Sequence, residues 1–257
     1  MLITIDIGNS SINIGYFSDS DFLAQKIATY PLRSIDEYCG IISDFLEQNH
    51  IEKNIFSCII SSVVTSHTPV LRDAVEKLSG TTDNEILVLS HHMDTGLNLK
   101  IRAPEELGTD RLANAAGAYA IYREPVAVID FGTATSITVV GINGDLLGGS
   151  IMPGIGLMND MLAQRTSKLT KIALEPRGPG LGKDTAGCIR SGLLFGTAGA
   201  VERILYEIER ETGYRFRTVI TGGYAHLMDP VVTRPHDMNL FLTLEGLKKI
   251  YAANRHA

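Results

Sequence analysis

The feature that most constrains this chain is a short pattern that occurs twice, half a chain apart. In each copy an apolar run ends near an aspartate, a glycine-containing turn follows, and a second β-branched run begins; the copies are Leu2–Phe17 and Val126–Val140. Apolar runs bounded by turn residues are typical of strands, so each copy predicts a β-hairpin with the aspartate at its bend. One such motif alone is an ordinary tight hairpin. Two copies indicate a single structural unit that is used twice.

The residues after each turn decide which kind of phosphate site the pattern can form. A Walker loop or a dinucleotide fingerprint needs a glycine-rich turn that opens into a helix. Here a β-branched run follows Gly8 and Gly132, which predicts a strand instead. Glycine lets backbone N–H groups approach an anion, whereas Asp6 and Asp130 would repel phosphate unless a cation lay between them. The pattern therefore predicts that phosphate is held at a hairpin bend with the help of a cation.

Composition narrows the class of protein and of partner. Of the 257 residues, 44% are hydrophobic and 20% are charged, which is typical of a globular chain with a sizeable core. The net charge of -6 and the absence of a basic cluster argue against nucleic acid or a membrane surface as a partner. No apolar run reaches the length of a membrane span, and three scattered cysteines fit neither a disulfide framework nor a zinc site. Since the first strand starts at Leu2 and leaves no room for an export signal, we expect a cytoplasmic protein.

The order of the elements predicts an α/β fold with mixed sheets. Strands open the chain and strand–helix alternation follows. Ser34 is followed three residues later by Glu37, which is the signature of a helix capping box. Because the second copy of the hairpin unit begins soon after Tyr119, we expect two domains, 1–118 and 119–257.

The C-terminal region predicts two further features. Arg217–Ala225 indicates a strand, a Gly-Gly turn and the start of a helix, an arrangement suited to a flat adenine or ribose group lying on backbone. Further on, Leu240, Leu242 and Leu244 alternate with polar or aromatic neighbours and predict a last strand, with a terminal helix over 246–255. In this prediction, packing of the terminal helix on the first domain stays open.

A third motif, Gly108–Arg111, lies at the start of an alanine-rich segment that is typical of a helix. The helix dipole favours an aspartate at this place, so plain capping would explain Asp110. A cation in the same turn opposes the dipole, and Arg111 therefore weakens that explanation. Together the two side chains indicate a general base and a clamp for an anion.

Small residues recur in the long helix that is expected to follow Gly182. Gly187, Ser191, Gly196 and Ala200 are placed at near-helical spacing. Such a stripe lets another element approach closely. Tight packing inside the domain and a seam between two copies of the chain both fit this pattern.

Taken together, the motifs resemble those of type III pantothenate kinase, and the resemblance covers nearly the whole chain in the same order. The matching segments are Asp6–Ser10, Gly108–Arg111, Asp130–Thr133, Gly148–Gly154, Gly182–Thr185 and Thr221–Gly223. The family belongs to the superfamily of acetate and sugar kinases, heat-shock chaperones and actin. The resemblance implies two ribonuclease-H-like (actin-like ATPase) domains with mixed sheets and a nucleotide in the cleft between them. It also implies ATP-dependent phosphorylation of pantothenate, with Mg2+ and K+ or NH4+ as cofactors, by a homodimer.

The resemblance assigns roles to individual residues. Asp110 would be the general base, and Asp130 would be a ligand of the monovalent cation. The substrate pantothenate would be bound by Gly108, Thr109, Asp110, Arg111 and Thr185. ATP would be bound by Asp6, Ile7, Gly8, Asn9, Ser10, Ser11, Ile12, Asn13 and Thr133, with Asp6 acting on magnesium through water.

Some positions depart from the family pattern. Family members usually have alanine where this chain has Thr109, and many carry tyrosine and asparagine where it has Ile101 and Ala103. Asp184 replaces a residue that is usually uncharged. Because these changes touch the acceptor side, two alternatives stay open: a superfamily kinase for another small hydroxylated acceptor, and a non-catalytic nucleotide-binding relative. Retention of Asp6, Asp110, Arg111 and Asp130 argues against the second alternative.

Overall fold

The structure is a computed structural model that describes residues 1–18, 21–51, 57–80, 86–176 and 178–255. In chain order its elements are β1 (Leu2–Ile7), β2 (Ser11–Phe17), β3 (Phe22–Ala28), α1 (Ile35–Gln48), β4 (Ser57–Ser62), α2 (Thr68–Ser79), β5 (Ile86–Val88), β6 (Asn98–Leu99), a short 3-10 helix (Pro104–Glu106), α3 (Thr109–Tyr122), β7 (Val126–Phe131), β8 (Ala134–Val140), β9 (Asp145–Pro153), α4 (Ile155–Arg165), α5 (Thr185–Thr212), β10 (Arg217–Thr221), α6 (Ala225–Met228), β11 (Asp237–Met238) and α7 (Leu242–Asn254). Within these described ranges, no helix is both long enough and apolar enough to cross a bilayer.

The chain forms two compact units, which we call the first unit and the second unit. The first unit comprises Met1–Leu97, Arg102–Ala120 and Leu242–Ala257, and the second comprises Asn98–Ile101 and Ile121–Phe241. The C-terminal helix α7 belongs to the first unit, where it packs against β1 and β4.

A five-stranded mixed sheet, in the order β3-β2-β1-β4-β5, forms the framework of the first unit. β1 pairs antiparallel with β2 and parallel with β4. Ile3 and Ile5 of β1 are fully buried in a core that they share with Tyr38 of α1. Successive side chains of a strand point to opposite faces, so Thr4 and Asp6 lie on the other face of the sheet. The hydrophobic run of β1 therefore fixes the face on which its terminal carboxylate lies.

The second unit repeats this arrangement around a six-stranded sheet. Its order is β11-β10-β7-β8-β9-β6, so that β9-β8-β7-β10-β11 corresponds to β3-β2-β1-β4-β5 of the first unit. β7 pairs antiparallel with β8 and parallel with β10, as β1 does with β2 and β4. The prediction of one unit used twice is thus confirmed by the strand order, as is the mixed α/β fold.

Local sequence signals explain the helices of the first unit. α1 begins with the predicted capping box: the Glu37 backbone N–H donates to Ser34 Oγ at 3.3 Å, and the Ser34 backbone N–H donates to Glu37 Oε2 at 2.7 Å. Further along, α3 and α7 approach through glycines. A Cβ on Gly117 would lie 2.9 Å from the Leu242 carbonyl oxygen, and one on Gly246 would lie 2.0 Å from that of Ala113. Small residues at this crossing hold α7 on the first unit.

The strand predicted over residues 240–244 is wrong, because α7 already begins at Leu242. The short period-two pattern belongs to a longer helical one, in which Leu244, Leu247 and Ile250 are buried together with Leu242. The preceding turn is closed by Asn239, whose side-chain oxygen accepts from the Phe241 N–H at 3.0 Å. Such a local bond to backbone favours a turn over a strand at this point.

Candidate functional site

The first hairpin, formed by β1 and β2, places Asp6 near the end of β1, where the residue is 8% exposed. In register it lies between Asn13 of β2 and Ser61 of β4. The fully buried Ser61 hydroxyl donates to Asp6 Oδ1 at 3.1 Å. A carboxylate removed from water requires such donors to stay ionised. The parallel neighbour β4 thus supplies part of the environment that Asp6 needs.

The turn that follows, Gly8 to Ser10, is held by backbone and hydroxyl groups. The Gly8 N–H donates to the Ser11 carbonyl at 3.0 Å, and Thr29 braces the other side. Thr29 Oγ1 donates to the Gly8 carbonyl at 2.6 Å, and its N–H donates to the Ser10 carbonyl at 3.3 Å. The side chains of Asn9 and Ser10 are exposed. A rigid turn therefore presents an amide and a hydroxyl to solvent.

Two of the predicted ATP-binding positions have no side chain available for a ligand. Ile7 and Ile12 are fully buried in the core of the first unit. Any contact that they make with a nucleotide must therefore come from backbone. Ser11 and Asn13 are partly exposed.

The second hairpin places Asp130 at the corresponding position of β7. In register it lies between Ser136 of β8 and Thr221 of β10. Its carboxylate lies in the space that two glycines leave open. A Cβ on Gly222 would lie 2.3 Å from Asp130 Oδ1, and one on Gly132 would lie 3.0 Å from the same atom. Gly222 also has a φ of +95°, which L side chains rarely adopt. Glycine at both positions allows the carboxylate to lie where it does.

Backbone hydrogen bonds brace the tip of the second turn. The Gly132 N–H donates to the Ala134 carbonyl at 3.2 Å, and the Gly154 N–H donates to the Thr133 carbonyl at 3.1 Å. A Cβ on Gly154 would lie 2.3 Å from the Thr133 carbonyl oxygen and 2.4 Å from that of Gly132. Glycine is therefore required where β9 passes behind the turn. The Thr133 side chain is exposed.

The Gly108–Arg111 motif begins α3, as predicted. The Gly108 carbonyl accepts the first helical hydrogen bond, from the Leu112 N–H at 3.0 Å. Asp110 Oδ1 accepts from the Arg111 N–H at 2.8 Å, and a Cβ on Gly108 would lie 2.4 Å from that oxygen. The glycine thus makes room for a carboxylate at a helix N-terminus, where the helix dipole favours negative charge.

The Arg111 guanidinium is partly withdrawn from water. Burial lowers the pKa of Arg111, and the neighbouring Asp110 carboxylate acts in the opposite direction. An arginine stays protonated in proteins, so the effect of burial is to leave a poorly hydrated cation. Such a cation gains more from pairing with an anion than a fully hydrated one does. This is the property expected of an anion clamp.

Thr109 connects the start of α3 to the end of β4. Its hydroxyl lies 3.0 Å from Ser61 Oγ, accepts from the Ser62 N–H at 3.1 Å, and lies 3.2 Å from the Ser62 carbonyl oxygen, to which it can donate. Ser61 in turn donates to Asp6. A continuous set of hydroxyl contacts therefore runs from Asp6 to the helix that carries Asp110.

Thr185 is the first residue of α5 in the second unit, and its side chain is exposed. The residue before it, Asp184, is the N-cap: its Oδ1 accepts from the Gly187 N–H at 2.6 Å. Capping gives a structural reason for the charged residue at this position.

The structure distributes the predicted residues over both units. Asp6 to Asn13 and Gly108 to Arg111 lie in the first unit, whereas Asp130, Thr133 and Thr185 lie in the second. Sequence reasoning missed Ser61. The signal was its place at the end of a buried strand, since the carboxyl ends of parallel strands meet at the same sheet edge.

Within the described part of the chain, no group of three or more His, Cys, Asp or Glu side chains forms a metal-binding cluster. Magnesium in nucleotide sites is usually held by one or two carboxylates together with substrate phosphates and water. The carboxylates of Asp6 and Asp130, each in register with hydroxyl-bearing residues of the neighbouring strands, fit that mode of binding.

Several solved structures share this fold of two mixed sheets with helices. Among solved structures with this fold, component A of the (R)-2-hydroxyglutaryl-CoA dehydratase of Acidaminococcus fermentans has a TM-score of 0.56. The match covers 100% of this chain and 96% of that one at 16% identity.

Sequence comparison defines the family. The family profile described as type III pantothenate kinase matches residues 2–207. The type III pantothenate kinase of Moorella thermoacetica is 34% identical over 256 residues, covering 99% of this chain and 100% of that protein. That of Roseiflexus sp. strain RS-1 is 36% identical over 257 residues, with 99% and 100% covered. The chain belongs to the type III pantothenate kinase family, and the predicted resemblance is confirmed.

Proposed function

We propose that this chain transfers the γ-phosphoryl group of ATP to the primary hydroxyl of pantothenate, giving 4'-phosphopantothenate and ADP. This reaction is the first step of coenzyme A biosynthesis. Membership of the family supports the reaction class. The observation that carries the proposal is the first turn of α3, where Gly108 makes room for the Asp110 carboxylate beside a partly buried Arg111.

Asp110 is the general base of the proposed reaction. The hydroxyl oxygen of pantothenate attacks the γ-phosphorus, its proton passes to the Asp110 carboxylate, and the bond from phosphorus to the leaving oxygen of ADP breaks. Phosphoryl transfer through a loose transition state depends mainly on positioning and charge neutralisation. A well-placed base contributes about 10²–10⁴-fold. Arg111, a poorly hydrated cation one residue away, is proposed to hold the pantothenate carboxylate. Gly108, Thr109 and Thr185 are proposed as the remaining substrate-binding residues.

The two hairpin turns are proposed to bind ATP and its cations. The side chains of Asn9, Ser10 and Thr133 are exposed at hydrogen-bonded turns, and their amide and hydroxyl groups are proposed to contact phosphate oxygens. Asp6 is proposed to hold Mg2+ through water, and Asp130 to hold K+ or NH4+. These ions supply charge neutralisation for the phosphates when they are bound. Both sites suit a bound cation, because each carboxylate lies beside hydroxyl-bearing residues and hard cations prefer such oxygen ligands.

A homodimer in the cytoplasm is the proposed state of the protein. On α5, Gly192, Gly196 and Gly199 are exposed, and a Cβ at any of them would meet nothing within 4 Å. Packing within the chain therefore does not require glycine there. The adjacent Phe195 is 43% exposed. A large apolar ring among small residues is suited to close contact with the same helix of a second copy, as sedimentation of Phe195→Asp would test.

The experiment that tests the proposed function is a coupled assay with ATP, magnesium, potassium and pantothenate. We expect ADP and phosphopantothenate to form in equal amounts, with both products identified by mass spectrometry. Transfer to other small hydroxylated acceptors but not to pantothenate would overturn the choice of substrate. Binding of nucleotide without any transfer would overturn the proposal of an active kinase.

A further inference from the structure

We infer that Thr109 is a positioning residue, whose hydroxyl holds the first turn of α3 against β4 and so fixes the place of the Asp110 carboxylate. The inference rests on the proposed role of Asp110 as general base.

The contacts of the Thr109 hydroxyl all lead to the end of one strand. It lies 3.0 Å from Ser61 Oγ, 3.1 Å from the Ser62 nitrogen and 3.2 Å from the Ser62 carbonyl oxygen. A helix start that is held by backbone packing alone can shift or fray, since the first turn has no complete set of helical hydrogen bonds. The contacts of the Thr109 hydroxyl do not supply those missing bonds, but they tie the first turn of α3 to β4 in the sheet of the first unit.

The protons can be placed so that every group in the network is satisfied. Ser61 gives its single O–H to Asp6 Oδ1, at 3.1 Å, and keeps its lone pairs as acceptors. Thr109 accepts from the Ser62 N–H and has one proton to give, either to the Ser62 carbonyl or to Ser61 Oγ. Because Ser61 is fully buried and Asp6 is 8% exposed, solvent does not readily replace a missing partner. The network is therefore sensitive to the loss of one hydroxyl.

The network reaches from Asp6 to Thr109, the residue that precedes Asp110 in the chain. Asp110 is the next residue after Thr109, and its Oδ1 is fixed by the Arg111 N–H at 2.8 Å. A change in the angle of the first turn therefore moves the carboxylate directly. Asp6, at the other end of the network, keeps its bond from Ser61 when Thr109 alone is changed. Loss of the Thr109 hydroxyl should thus affect turnover more than ATP binding.

The test compares Thr109→Val, which keeps the shape and removes the hydroxyl, with Thr109→Ser, which restores the hydroxyl. We expect Thr109→Val to lower kcat about 10-fold while the KM for ATP changes less than about 2-fold, and Thr109→Ser to recover most of the lost kcat. Thr243→Val is the matched control. It removes a hydroxyl bond to the same helix, from Thr243 Oγ1 to Asn114 Oδ1 at 2.7 Å, farther from Asp110. It should lower the midpoint of thermal unfolding without lowering kcat.

A double-mutant cycle on kcat with Ser61→Ala sharpens the test. Because Ser61 and Thr109 belong to one network, the double variant should be less impaired than the product of the two single effects, whereas Thr109→Val and Thr243→Val should combine as a simple product. An unchanged kcat in Thr109→Val, or independent effects of Ser61 and Thr109, would overturn the inference.

Asp110→Asn separates this inference from the proposed function. If Asp110→Asn loses turnover and Thr109→Val does not, the positioning role is wrong and the base assignment stands. If Asp110→Asn keeps near-normal turnover, the base assignment is wrong and the positioning role falls with it.

Discussion

The two hairpins share one plan and differ in how their carboxylates are held. Asp6 and Asp130 occupy the same register, each with an antiparallel neighbour on one side and a parallel neighbour on the other. Asp6 is tied down by a buried serine hydroxyl at 3.1 Å. The Asp130 carboxylate lies against Gly132 and Gly222, where added Cβ atoms would lie 3.0 Å and 2.3 Å from its Oδ1. A repeated framework thus offers two different environments for one residue type.

The braces behind the two turns differ in the same way. In each unit the residue after the third strand donates its backbone N–H to the last carbonyl of the turn: Thr29 to Ser10, and Gly154 to Thr133. Thr29 adds a hydroxyl bond to Gly8, whereas at Gly154 even a Cβ would not fit. The repeat therefore preserves backbone hydrogen bonds while its side chains are free to diverge. In the proposed function, this divergence lets one structural unit serve once as a phosphate turn and once as a cation site.

The largest expected effect concerns the chemistry assigned to the first unit. Asp110→Asn keeps the size of the side chain and removes its ability to accept a proton, so turnover should fall about 10²-fold or more. ATP affinity should stay nearly intact, because the phosphate turn of the first unit is unchanged. Steady-state kinetics and nucleotide titration measure the two quantities. Near-normal turnover would remove Asp110 as the base and leave the first unit without an assigned chemical step.

The two hairpins and the starts of α1 and α3 could be predicted from the sequence, because the residues that indicate them are local. Both hairpins follow from apolar runs that end at a glycine turn, and the capping box of Ser34 and Glu37 marked the start of α1. The α3 start was equally clear from its alanine-rich run. These features depend on residues that are close together in the chain.

Features that join distant residues could not be predicted in this way. The contact between Ser61 and Thr109 spans 48 positions, and no spacing rule connects them. Leu240, Leu242 and Leu244 form a period-two pattern that fits a strand. The segment is helical from Leu242 onward, because α7 packs its apolar side against the sheet of the first unit. The hydroxyl bond from Thr29 to the Gly8 carbonyl joins residues 21 positions apart, and no local pattern in the sequence indicates it.

The next effect concerns the cation site assigned to the second unit. Asp130→Ala removes the proposed ligand, so stimulation of turnover by potassium should disappear while activity in its absence changes little. The measurement is turnover as a function of potassium concentration at constant ionic strength. Gly222→Ala is a second variant with a smaller expected effect, since it keeps the Asp130 carboxylate but places a Cβ 2.3 Å from Asp130 Oδ1. It should weaken potassium stimulation rather than abolish it. Full potassium stimulation in Asp130→Ala would show that the ion binds elsewhere.

A smaller effect is expected at the brace of the first turn. Thr29→Val removes the hydroxyl that donates to the Gly8 carbonyl at 2.6 Å. A lost hydrogen bond of this kind is worth about 0.5–1.5 kcal/mol, so the KM for ATP should rise by roughly 2- to 10-fold with little change in kcat. Thr29→Ser is the control, because it retains the donor. If both variants bind ATP like the parent, the hydroxyl has no part in shaping the turn, and the difference between the two hairpins loses its proposed functional meaning.

The last prediction concerns stability and leaves turnover at neutral pH unchanged. In the second unit, Glu209 is 5% exposed and accepts hydrogen bonds from Arg234 and from the Phe216 N–H. Burial alone would raise the pKa of Glu209, but these bonds outweigh it and the pKa is lowered. A carboxyl whose folded pKa lies below its unfolded pKa adds stability above the unfolded value, and this is lost as pH falls through the folded value. Glu209→Gln should therefore be less stable than the parent by about 1–3 kcal/mol at pH 7, and the gap should narrow below about pH 4.5. Urea unfolding at both pH values measures it, and a gap that stays constant with pH would show that the charge of Glu209 does not stabilise the second unit.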